Sequence, residues 1–389
     1  MSVQTVTLGC RLNFAESETI AAVAATDGDW IVVNSCAVTN EAVRQTRQSI
    51  RHAHRQRPDA LILVTGCAAE LDPDAFRAMP EVTRVVGNAR KLSALAANDV
   101  MPPLAPSGLL ARVKSFVAVQ TGCDHRCTFC SIWQARGPSV SLPFEAVRDA
   151  VAREIDRGSR EIVLTGVDIT DYAGGLGLLC QRLLAAEPRL QRLRLSSLDS
   201  IEIDGALFEL IAGESRLMPH FHLSLQAGDD LVLKRMKRRH SREDAVRTVE
   251  RIKAARPDAT IGADMIAGFP TETEEMALNT LKLLDDCDIV AAHIFPFSPR
   301  PNTPAARMPQ VERELVKARA TRLREAAAER RNQWLDGFVG TVQPILVEGE
   351  GVGHTDNFAP IAIAGGRLGE SGLARITGRE ANRLTAVWA

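Results

Sequence analysis

No stretch of this 389-residue sequence is both uninterruptedly apolar and long enough to cross a bilayer, although 45% of the residues are hydrophobic. The sequence also lacks, at its start, the charged segment followed by an apolar run that a secretory signal needs. Both absences argue against secretion and membrane insertion, and they predict a cytoplasmic protein without a membrane partner. The length is sufficient for two or three domains, each with its own core.

An excess of positive charge is absent as well, since the formal net charge is -1 and the pI is about 6.7. Domains that attract nucleic acid by overall charge usually have a pI above about 9. Any RNA contact must therefore be local, although a charged helix face is more often simply solvated. Three basic stretches are candidates: Arg44, Arg47, Arg51, Arg55 and Arg57; Lys234, Arg235, Lys237, Arg238 and Arg239; and Arg319, Arg322, Arg324, Arg330 and Arg331.

The alternation of short apolar runs with helical patterns predicts an α/β protein in three parts. Residues 1–100 form the first part, in which Trp30–Asn34 and Leu61–Thr65 have the pattern of strands and Glu41–Arg57 that of a helix. This favours a small α/β domain with a parallel sheet. A Pro-rich stretch, Met101–Gly108, is the predicted linker to the second part.

Residues 109–334 are predicted to form a partial parallel (β/α) barrel that ends in a long helix, Gln310–Trp334. In such barrels the chemistry occurs at the C-terminal ends of the strands. Six runs have the strand pattern: Phe116–Gln120, Glu161–Thr165, Arg192–Ser196, Phe221–Leu225, Thr260–Met265 and Ile289–Phe295.

Residues 335–389 are rich in glycine and contain three short β-type runs: Val342–Val347, Ala359–Ile363 and Gly372–Thr377. They predict a small antiparallel β-barrel. This part has six acidic and four basic residues, so it is not an obvious cationic surface for RNA.

The strongest chemical signal is the CxxxCxxC motif of Cys123, Cys127 and Cys130, directly after the first barrel strand. Three thiolates are one fewer than the four that saturate a 4Fe–4S cluster, so one iron keeps an open position. Structural zinc is the alternative, since His125 lies nearby. A structural zinc site, however, usually has four protein ligands and no open position, and the sequence repeats no CxxC pair of the zinc-ribbon type.

A second set consists of Cys10, Cys36 and Cys67, each placed just after a strand-like run of the first domain. A parallel sheet brings such positions to one edge, which again gives three thiolates without a fourth. The alternative is three buried apolar cysteines in an ordinary α/β core. Cys180 and Cys287 fall inside helical patterns and are interpreted as core or surface thiols. Disulfides are not expected in a cytosolic chain.

At the CxxxCxxC motif the sequence resembles the radical S-adenosylmethionine (SAM) superfamily, and further motifs resemble its methylthiotransferases over nearly the whole chain. The terminal segment His354–Phe358 is similar to part of the small β-barrel, called TRAM, that these enzymes carry. The other matching motifs are Thr7–Asn13, Val33–Thr39, Thr65–Cys67, Gln120–Cys123, Ala135–Gly137, Leu223–Gln226, Leu233–Met236 and Asp264–Pro270.

Within that family, Leu8–Cys10 and Ser35–Thr39 are most similar to the branch that acts on N6-threonylcarbamoyladenosine beside the tRNA anticodon. The resemblance implies conversion of this nucleoside to its 2-methylthio derivative, with two 4Fe–4S clusters, SAM, an external one-electron donor and a sulfur source. It implies the tRNA anticodon arm as partner. The alternatives are a methylthiotransferase for isopentenyladenosine in tRNA or for a ribosomal protein.

The resemblance also implies roles for individual residues. Cys123, Cys127 and Cys130 would hold the cluster that cleaves SAM to a 5′-deoxyadenosyl radical, and Cys10, Cys36 and Cys67 the cluster that carries the sulfur. Independently of the resemblance, the basic stretch Lys234–Arg239 predicts that Arg235 and Arg238 contact RNA phosphates. Residues at predicted strand ends, together with Phe129 beside the cluster, would line the SAM pocket: Gly166, Asp168, Ser196, Ser224, Gln226, Asp264, Gly268 and His293.

Two departures from the family pattern concern this pocket. Phe129 stands where an aromatic hydroxyl is usual, and Trp133 and Gln134 replace the usual Pro and Tyr after Ile132. Stacking on the cofactor survives these changes, whereas a contact through the hydroxyl does not. Two hypotheses outside this family stay open, namely an iron–sulfur assembly or electron-transfer protein and a zinc-containing RNA-binding module.

Overall fold

The computed structural model describes residues 3–24, 28–93 and 113–389. The predicted linker Met101–Gly108 lies outside these ranges, and the division at residues 100, 109 and 335 stays a prediction. Within the described ranges, no helix combines the length and the apolar character that crossing a membrane would require.

The N-terminal part is a four-stranded parallel sheet in the order β1-β2-β3-β4, which confirms the predicted small α/β domain. Alternate residues of its central strands pack on opposite faces, because side chains alternate along a strand. Ile31 packs with Ile50 of α2, whereas Val32 packs with Ile20 of α1. Its elements are β1 (Val3–Thr7), α1 (Arg11–Val23), β2 (Trp30–Ser35), α2 (Asn40–Gln56), β3 (Leu61–Gly66), α3 (Cys67–Leu71), α4 (Pro73–Arg77) and β4 (Arg84–Val85).

The central part confirms the predicted partial parallel barrel, since its six main strands form two three-stranded parallel sheets, β5-β8-β9 and β10-β11-β12. Two isolated parallel bridges, Leu193–Leu217 and Leu198–Leu223, connect the segments of β9 and β10. The strands are β5 (Lys114–Ala118), β6 (Gln120–Thr121), β7 (Val140–Ser141), β8 (Glu161–Thr165), β9 (Leu193–Leu195), β10 (His220–Gln226), β11 (Thr260–Ala267) and β12 (Ile289–Pro296).

Helices cover the outside of this barrel and bury its aliphatic core. The long helix begins at Arg313 and ends at Asp336, close to the predicted bounds. The helices are α5 (Ile132–Arg136), α6 (Phe144–Asp156), α7 (Leu176–Ala186), α8 (Gly205–Gly213), α9 (Asp230–Met236), α10 (Arg242–Ala255), α11 (Glu274–Asp286) and α12 (Arg313–Asp336).

The N-terminal part lies across the opening of the incomplete barrel. On one side, α1 packs on the edge strand β5, with the Arg11 guanidinium 6.0 Å from the centre of the Phe116 ring. On the other side, Asn40 of α2 donates from its side-chain amide to the carbonyl of Pro299, which follows the edge strand β12. The loops at the end of the N-terminal sheet therefore face the loops of the barrel.

The C-terminal part is a closed five-stranded barrel in the order β13-β14-β15-β17-β16. A small barrel was predicted correctly, but its purely antiparallel character was wrong, because β15 and β17 pair in parallel. The sequence pattern also missed β14 and β17, which are short and each add only two buried residues to the core. The strands are β13 (Val342–Gly349), β14 (Val352–Thr355), β15 (Pro360–Ile363), β16 (Ser371–Glu380) and β17 (Arg383–Trp388).

The turn between β14 and β15 joins this barrel to the N-terminal ends of the central strands. The ring of Phe358 stacks on His220 at 5.1 Å between centroids, and the cations of Arg194 and Lys114 lie 4.7 and 4.9 Å from its centre. Thr260 donates its hydroxyl to the carbonyl of Asn357 at 2.9 Å. The C-terminal barrel therefore closes the end of the central barrel that is opposite to the CxxxCxxC loop.

Candidate functional site

The CxxxCxxC loop is held by hydrogen bonds at the ends of neighbouring strands. The side-chain oxygen of Gln120 accepts from the backbone amides of Val167 and Asp168 at 3.0 and 2.9 Å, while its amide donates to the carbonyl of Gly122 at 2.8 Å. Gly122 has φ +76°, and a Cβ there would lie 1.8 Å from the carbonyl oxygen of Pro138. Only glycine fits this close approach, so the chain enters the loop in a fixed direction.

The three cysteines of this loop lie in a poorly solvated place. Burial, followed by the nearby carboxylate and cysteines, raises the pKa of Cys123 to about 12, and burial raises that of Cys130 to about 11. A guanidinium nitrogen of Arg238 lies 3.8 Å from the sulfur of Cys127. Such thiols stay protonated unless positive charge stabilises the thiolates, which a bound iron cluster does.

A wall of ionisable side chains stands beside Cys123. The sulfur of Cys123 lies 3.9 Å from the carboxylate of Asp168. That carboxylate is also 3.4 Å from His125 Nδ1 and accepts from the hydroxyl of Thr170 at 2.8 Å. His125 Nε2 is 3.5 Å from Glu202. Burial raises the pKa of Glu202, but His125 and Arg239 outweigh burial and lower that pKa to about 2. Burial raises the pKa of Asp168, and Arg239 pairs with Glu202, so the wall combines carboxylates with positively charged partners.

Asp199 completes this wall, accepting from Arg238 at 2.9 Å. Asp199, Glu202 and Arg238 were not predicted to lie in the cofactor pocket. Ser196 was selected because it lies at the end of a strand. The same criterion, extended along the whole loop after β9, would have found Asp199 and Glu202.

The second cysteine set lies at one edge of the N-terminal sheet, as its position after three parallel strands predicts. Cys10 precedes α1, Cys36 follows β2 and Cys67 is the first residue of α3. Gly9 has φ +92°, and a Cβ there would lie only 2.5 Å from the sulfur of Cys36. Burial, offset by a backbone hydrogen bond and increased by the other two thiols, raises the pKa of Cys36 to about 11.

Arg136, at the end of α5, joins the two cysteine sets. Its side chain is 2% exposed, its Nε donates to the sulfur of Cys67 at 3.3 Å, and its other nitrogens donate to Glu16 at 2.8 and 3.0 Å and to Asn13 at 2.6 Å. Lys91 donates to the same Glu16. Because Arg136 lies six residues after Cys130, this network fixes the loop of one set against the other.

A cavity of about 200 Å³ lies between the two sets. Its walls include Thr39 from the segment after Cys36, and Phe129 and Cys130 from the CxxxCxxC loop. Phe129 also packs on a buried apolar cluster that includes Met236 and Phe269. The cavity is thus reached from both cysteine loops and has an aromatic wall.

The structure brings some of the predicted pocket residues to this region and not others. Gln226 and Asp264 line the cavity with Phe129, and Asp168 lies beside Cys123. Ser224 bonds Ser197 through its hydroxyl at 2.9 Å, and Ser196 is buried just after β9.

The two predicted glycines do not line the cavity. Gly166 packs against Gln120, and a Cβ on Gly166 would lie 2.8 Å from the backbone oxygen of Gln120. Gly268 backs onto Val316 of α12, where a Cβ would lie 2.6 Å from the valine side chain. Both glycines are therefore positions of close packing between elements.

Arg238 does not lie on the outer surface, which corrects its expected role as a phosphate contact. Its side chain is 6% exposed and donates to Asp199 at 2.9 Å and to the carbonyl of Ser224 at 2.8 Å. Arg235 is half-buried and donates to the carbonyl of Thr271 at 3.3 Å. The basic sequence around them predicted a cationic face, but burial and hydrogen bonding turn these two side chains inward.

Two histidines flank Asp264 inside the barrel. His222 Nε2 and His293 Nδ1 lie 3.0 and 3.2 Å from the same carboxylate oxygen, and their rings are 4.6 Å apart. Burial raises the pKa of Asp264, but both imidazoles outweigh it and hold that pKa well below its usual range. His293 is therefore an Asp264 partner, with 61% of its side chain exposed.

Comparison with known proteins supports this geometry. Residues 117–284 match the model of the Radical SAM superfamily, and residues 2–87 match that of the Uncharacterized protein family UPF0004. Among solved structures, the radical S-adenosylmethionine methyltransferase TsrM from Kitasatospora setae is similar with a TM-score of 0.53 and 16% identity, over 69% of this chain and 64% of that chain. At this identity the likeness shows the fold alone.

Sequence relatives are more informative. "Threonylcarbamoyladenosine tRNA methylthiotransferase MtaB" from Rickettsia prowazekii is 42% identical over 92% of this chain and 90% of the relative. The protein of the same name from Bacillus subtilis is 31% identical, over 92% of this chain and 89% of the relative. "tRNA-2-methylthio-N(6)-dimethylallyladenosine synthase" from Erythrobacter litoralis is 32% identical, over 88% of this chain and 85% of the relative. The chain belongs to the radical SAM methylthiotransferase family.

Proposed function

We propose that this protein converts N6-threonylcarbamoyladenosine, beside the anticodon of tRNA, to its 2-methylthio derivative. The observation that carries the proposal is the 42% identity to a relative named for this reaction, over nine tenths of both chains. The cavity lined by Cys130 and by Thr39, which follows Cys36 by three residues, supports it, because the reaction needs a SAM-cleaving group and a sulfur-carrying group close together.

The cysteine sets fit 4Fe–4S clusters. Each offers three sulfurs, which leaves one iron open, and each has a buried guanidinium near a sulfur to balance negative charge: Arg238 near Cys127 and Arg136 near Cys67. Family membership implies the first cluster, on Cys123, Cys127 and Cys130, together with SAM. The second cluster, on Cys10, Cys36 and Cys67, belongs to the proposal.

When bound, these groups supply one-electron cleavage of SAM and a sulfur atom for transfer, and they draw on an external electron donor and a sulfur source. Binding and orienting these groups depend on side chains of this protein. Asp168, Asp199 and Glu202 provide the negative charge that suits an ammonium group, and Arg238 the positive charge that suits a carboxylate. Phe129 offers an apolar face on which an adenine ring stacks.

Two contacts between parts of the chain limit the access of solvent to the central barrel. The N-terminal part covers the open side of the barrel, and Phe358 with its neighbours closes the far end. Both closures limit the entry of water and so protect reactive intermediates from side reactions. The target base must then leave its stack to reach the cavity, and an anticodon loop already exposes its bases.

The second candidate substrate is the isopentenylated adenosine of tRNA. It is favoured by relatives such as that of Erythrobacter litoralis, which are named for dimethylallyladenosine and are 31–32% identical to this chain. A ribosomal protein is the third candidate, since the same cofactors permit that reaction. The higher identity of the Rickettsia prowazekii relative supports the threonylcarbamoyl substrate.

Mass spectrometry of nucleosides from total tRNA, with and without the gene, tests the proposal. We expect the 2-methylthio form of threonylcarbamoyladenosine to vanish on deletion and to return with the wild-type gene or with Cys180→Ala, but not with Cys36→Ala. Loss of the 2-methylthio form of isopentenyladenosine instead would select the second candidate. Unchanged tRNA would contradict both.

Metal analysis after anaerobic purification tests the cofactors. The donor atoms of Cys123, His125 and Asp168 lie within 4.8 Å of one another, which is also a possible zinc set. We expect iron and sulfide in excess over zinc, and cleavage of SAM under reducing conditions. Zinc without iron would instead favour the RNA-binding module, and iron without SAM cleavage an assembly or electron-transfer protein.

A further inference from the structure

Arg300 occupies the wall between two cavities. It follows β12 and lines both the cavity between the cysteine sets and a larger groove of about 760 Å³ that runs along α2. The residue is only 6% exposed. Its side chain therefore belongs to the walls of both the groove and the cavity.

No carboxylate pairs with Arg300 among the described residues, and the groups of negative charge that act on it are Cys36 and Cys130 when they are ionised. One terminal nitrogen donates to the side-chain oxygen of Asn40 at 2.5 Å, which is a neutral acceptor, and Nε has no hydrogen-bond partner. A buried guanidinium without an anion is costly, because desolvation is not offset by ion pairing. Four other arginines with almost fully buried side chains each have a carboxylate: Arg136 with Glu16, Arg194 with Glu161, Arg238 with Asp199, and Arg319 with Glu272.

The groove that leads to Arg300 is cationic. Four arginines and one aspartate line it: Arg44, Arg47, Arg51, Arg300 and Asp72. The pairs Arg47–Asp72 and Arg51–Glu81 are long, at 3.9 and 4.0 Å, and Arg47 and Arg51 stay 40% and 54% exposed. Such loose, exposed ion pairs contribute little and leave the arginines available to a polyanion.

The groove also ends at the N-terminus of α2, a helix of 17 residues that begins at Asn40. The partial positive charge of this helix end adds to that of Arg300, since Asn40 itself contacts the guanidinium. The Nε of Arg300 has no hydrogen-bond partner among the described residues and is free to donate to a negatively charged group at this corner.

We propose that Arg300 binds an anionic group of the RNA substrate at the point where the target nucleotide passes from the α2 groove into the cavity. This inference rests on the proposed function. Two groups of that substrate have the required chemistry, namely a backbone phosphate next to the target and the carboxylate of its threonyl group. Both are planar or forked oxygen anions that a guanidinium binds with two parallel hydrogen bonds.

Binding of an anticodon stem-loop RNA to the iron-loaded enzyme, measured anaerobically at several salt concentrations, tests this inference. The RNA carries either threonylcarbamoyladenosine or plain adenosine at the target position. We expect Arg300→Gln to weaken binding of the modified RNA by about ten- to a hundred-fold, the range of a lost charge-assisted hydrogen bond. Arg148→Gln is the matched control, because Arg148 is exposed on α6 and pairs with Asp149.

The two RNAs distinguish the two anions. If Arg300 binds a phosphate, Arg300→Gln weakens the binding of both RNAs equally. The slope of log affinity against log salt concentration then falls by the equivalent of about one phosphate contact. If it binds the carboxylate, only the modified RNA loses affinity. Arg300→Lys keeps the positive charge and should retain more affinity than Arg300→Gln in either case.

The inference is overturned if Arg300→Gln binds both RNAs as tightly as the wild type does, which would mean that Arg300 only balances the charge of the nearby thiolates. It is also overturned if Arg300→Lys and Arg300→Gln lose affinity equally and both lose iron, as expected for a purely structural contact to Asn40. Iron content and the thermal midpoint of each variant are therefore measured alongside binding.

The same experiment separates this inference from the proposed function. Methylthiolation of the modified RNA by the wild-type enzyme tests the function, whereas the effect of Arg300→Gln on binding tests the inference. An enzyme that binds RNA through Arg300 but does not methylthiolate it would contradict only the proposed function. An active enzyme whose RNA affinity is unchanged by Arg300→Gln would contradict only the inference.

Discussion

The Nε of Arg136 donates to the sulfur of Cys67 at 3.3 Å, although 69 residues separate them in the sequence. Arg136 belongs to the segment that follows the CxxxCxxC loop, and Cys67 belongs to the second cysteine set. The same guanidinium pairs with Glu16 in α1. One buried side chain thus fixes the distance between the two proposed cofactor sites, on which transfer between them depends.

Replacing Arg136 with Gln should destabilise the protein by about 3 kcal/mol, because it leaves the buried carboxylate of Glu16 with Lys91 alone. We expect a lower thermal midpoint of the iron-loaded enzyme and a changed electron paramagnetic resonance signal of the cluster near Cys67. Arg148→Gln should change neither, since its exposed pair contributes little. An unaltered midpoint and signal in Arg136→Gln would show that Arg136 does not link the two sites.

Glu16 should make stability depend on acid pH. Burial raises its pKa, but Lys91 and Arg136 outweigh burial and lower that pKa from 4.5 to about 2. The folded-state pKa is thus depressed, so this stabilisation is fully present above about pH 4.5 and is lost as the pH falls toward 2, with a size of about 3 kcal/mol.

Unfolding followed by circular dichroism between pH 6 and pH 3 measures this effect. Glu16→Gln should be less stable than the wild type at pH 6, and the difference should shrink on acidification. Glu314→Gln is the control, because that carboxylate is 81% exposed on α12 and pairs only with Lys317. A constant difference between Glu16→Gln and the wild type across this range would contradict the depressed pKa.

Each of the six proposed ligand cysteines should be needed for iron. Changing one cysteine of a set to Ala should remove about half of the bound iron, because two thiolates hold a 4Fe–4S cluster poorly. Cys180→Ala and Cys287→Ala should retain all of it, since both side chains lie in the apolar barrel core. Iron and sulfide assays measure this, and full iron in Cys36→Ala would exclude the second cluster.

Arg238→Gln should weaken SAM binding by about tenfold or more, because it removes the ion pair to Asp199 beside the CxxxCxxC loop. It should leave the salt dependence of RNA binding unchanged, since the side chain is buried. Equilibrium binding of SAM and of stem-loop RNA to the iron-loaded enzyme measures both, with Arg148→Gln, an exposed arginine paired with Asp149, as control. A reduced salt dependence with normal SAM affinity would return Arg238 to the RNA surface.

Phe358→Ala should loosen the C-terminal barrel from the central one. It removes the ring that stacks on His220 and contacts the cations of Arg194 and Lys114, with an expected loss of about 2 kcal/mol. Limited proteolysis near residue 340 and the thermal midpoint measure this. Leu373→Ala, 58% exposed on the same barrel, should have little effect, and equal behaviour of the two variants would contradict the docking role.

The amino-acid sequence by itself determined the elements and the cysteine spacing. Strands such as Glu161–Thr165 were predicted with the bounds that the structure has, because the middle of this buried parallel strand is a continuous apolar run, Ile162–Leu164. CxxxCxxC is equally local, and the positions of Cys10, Cys36 and Cys67 after parallel strands were enough to bring them to one sheet edge.

Only the tertiary structure decided which charged residues meet at the site. Arg238 belongs to a basic segment that was predicted to face RNA, yet its side chain is buried beside Asp199. Arg300, which the sequence did not single out, is buried without a carboxylate partner among the residues described. Burial and pairing of a charge depend on contacts between residues far apart in sequence, such as Arg300 and Asn40 at a separation of 260. The periodicity of apolar residues predicts one helix or strand at a time. The pairing of charged side chains depends instead on how several helices and strands pack together.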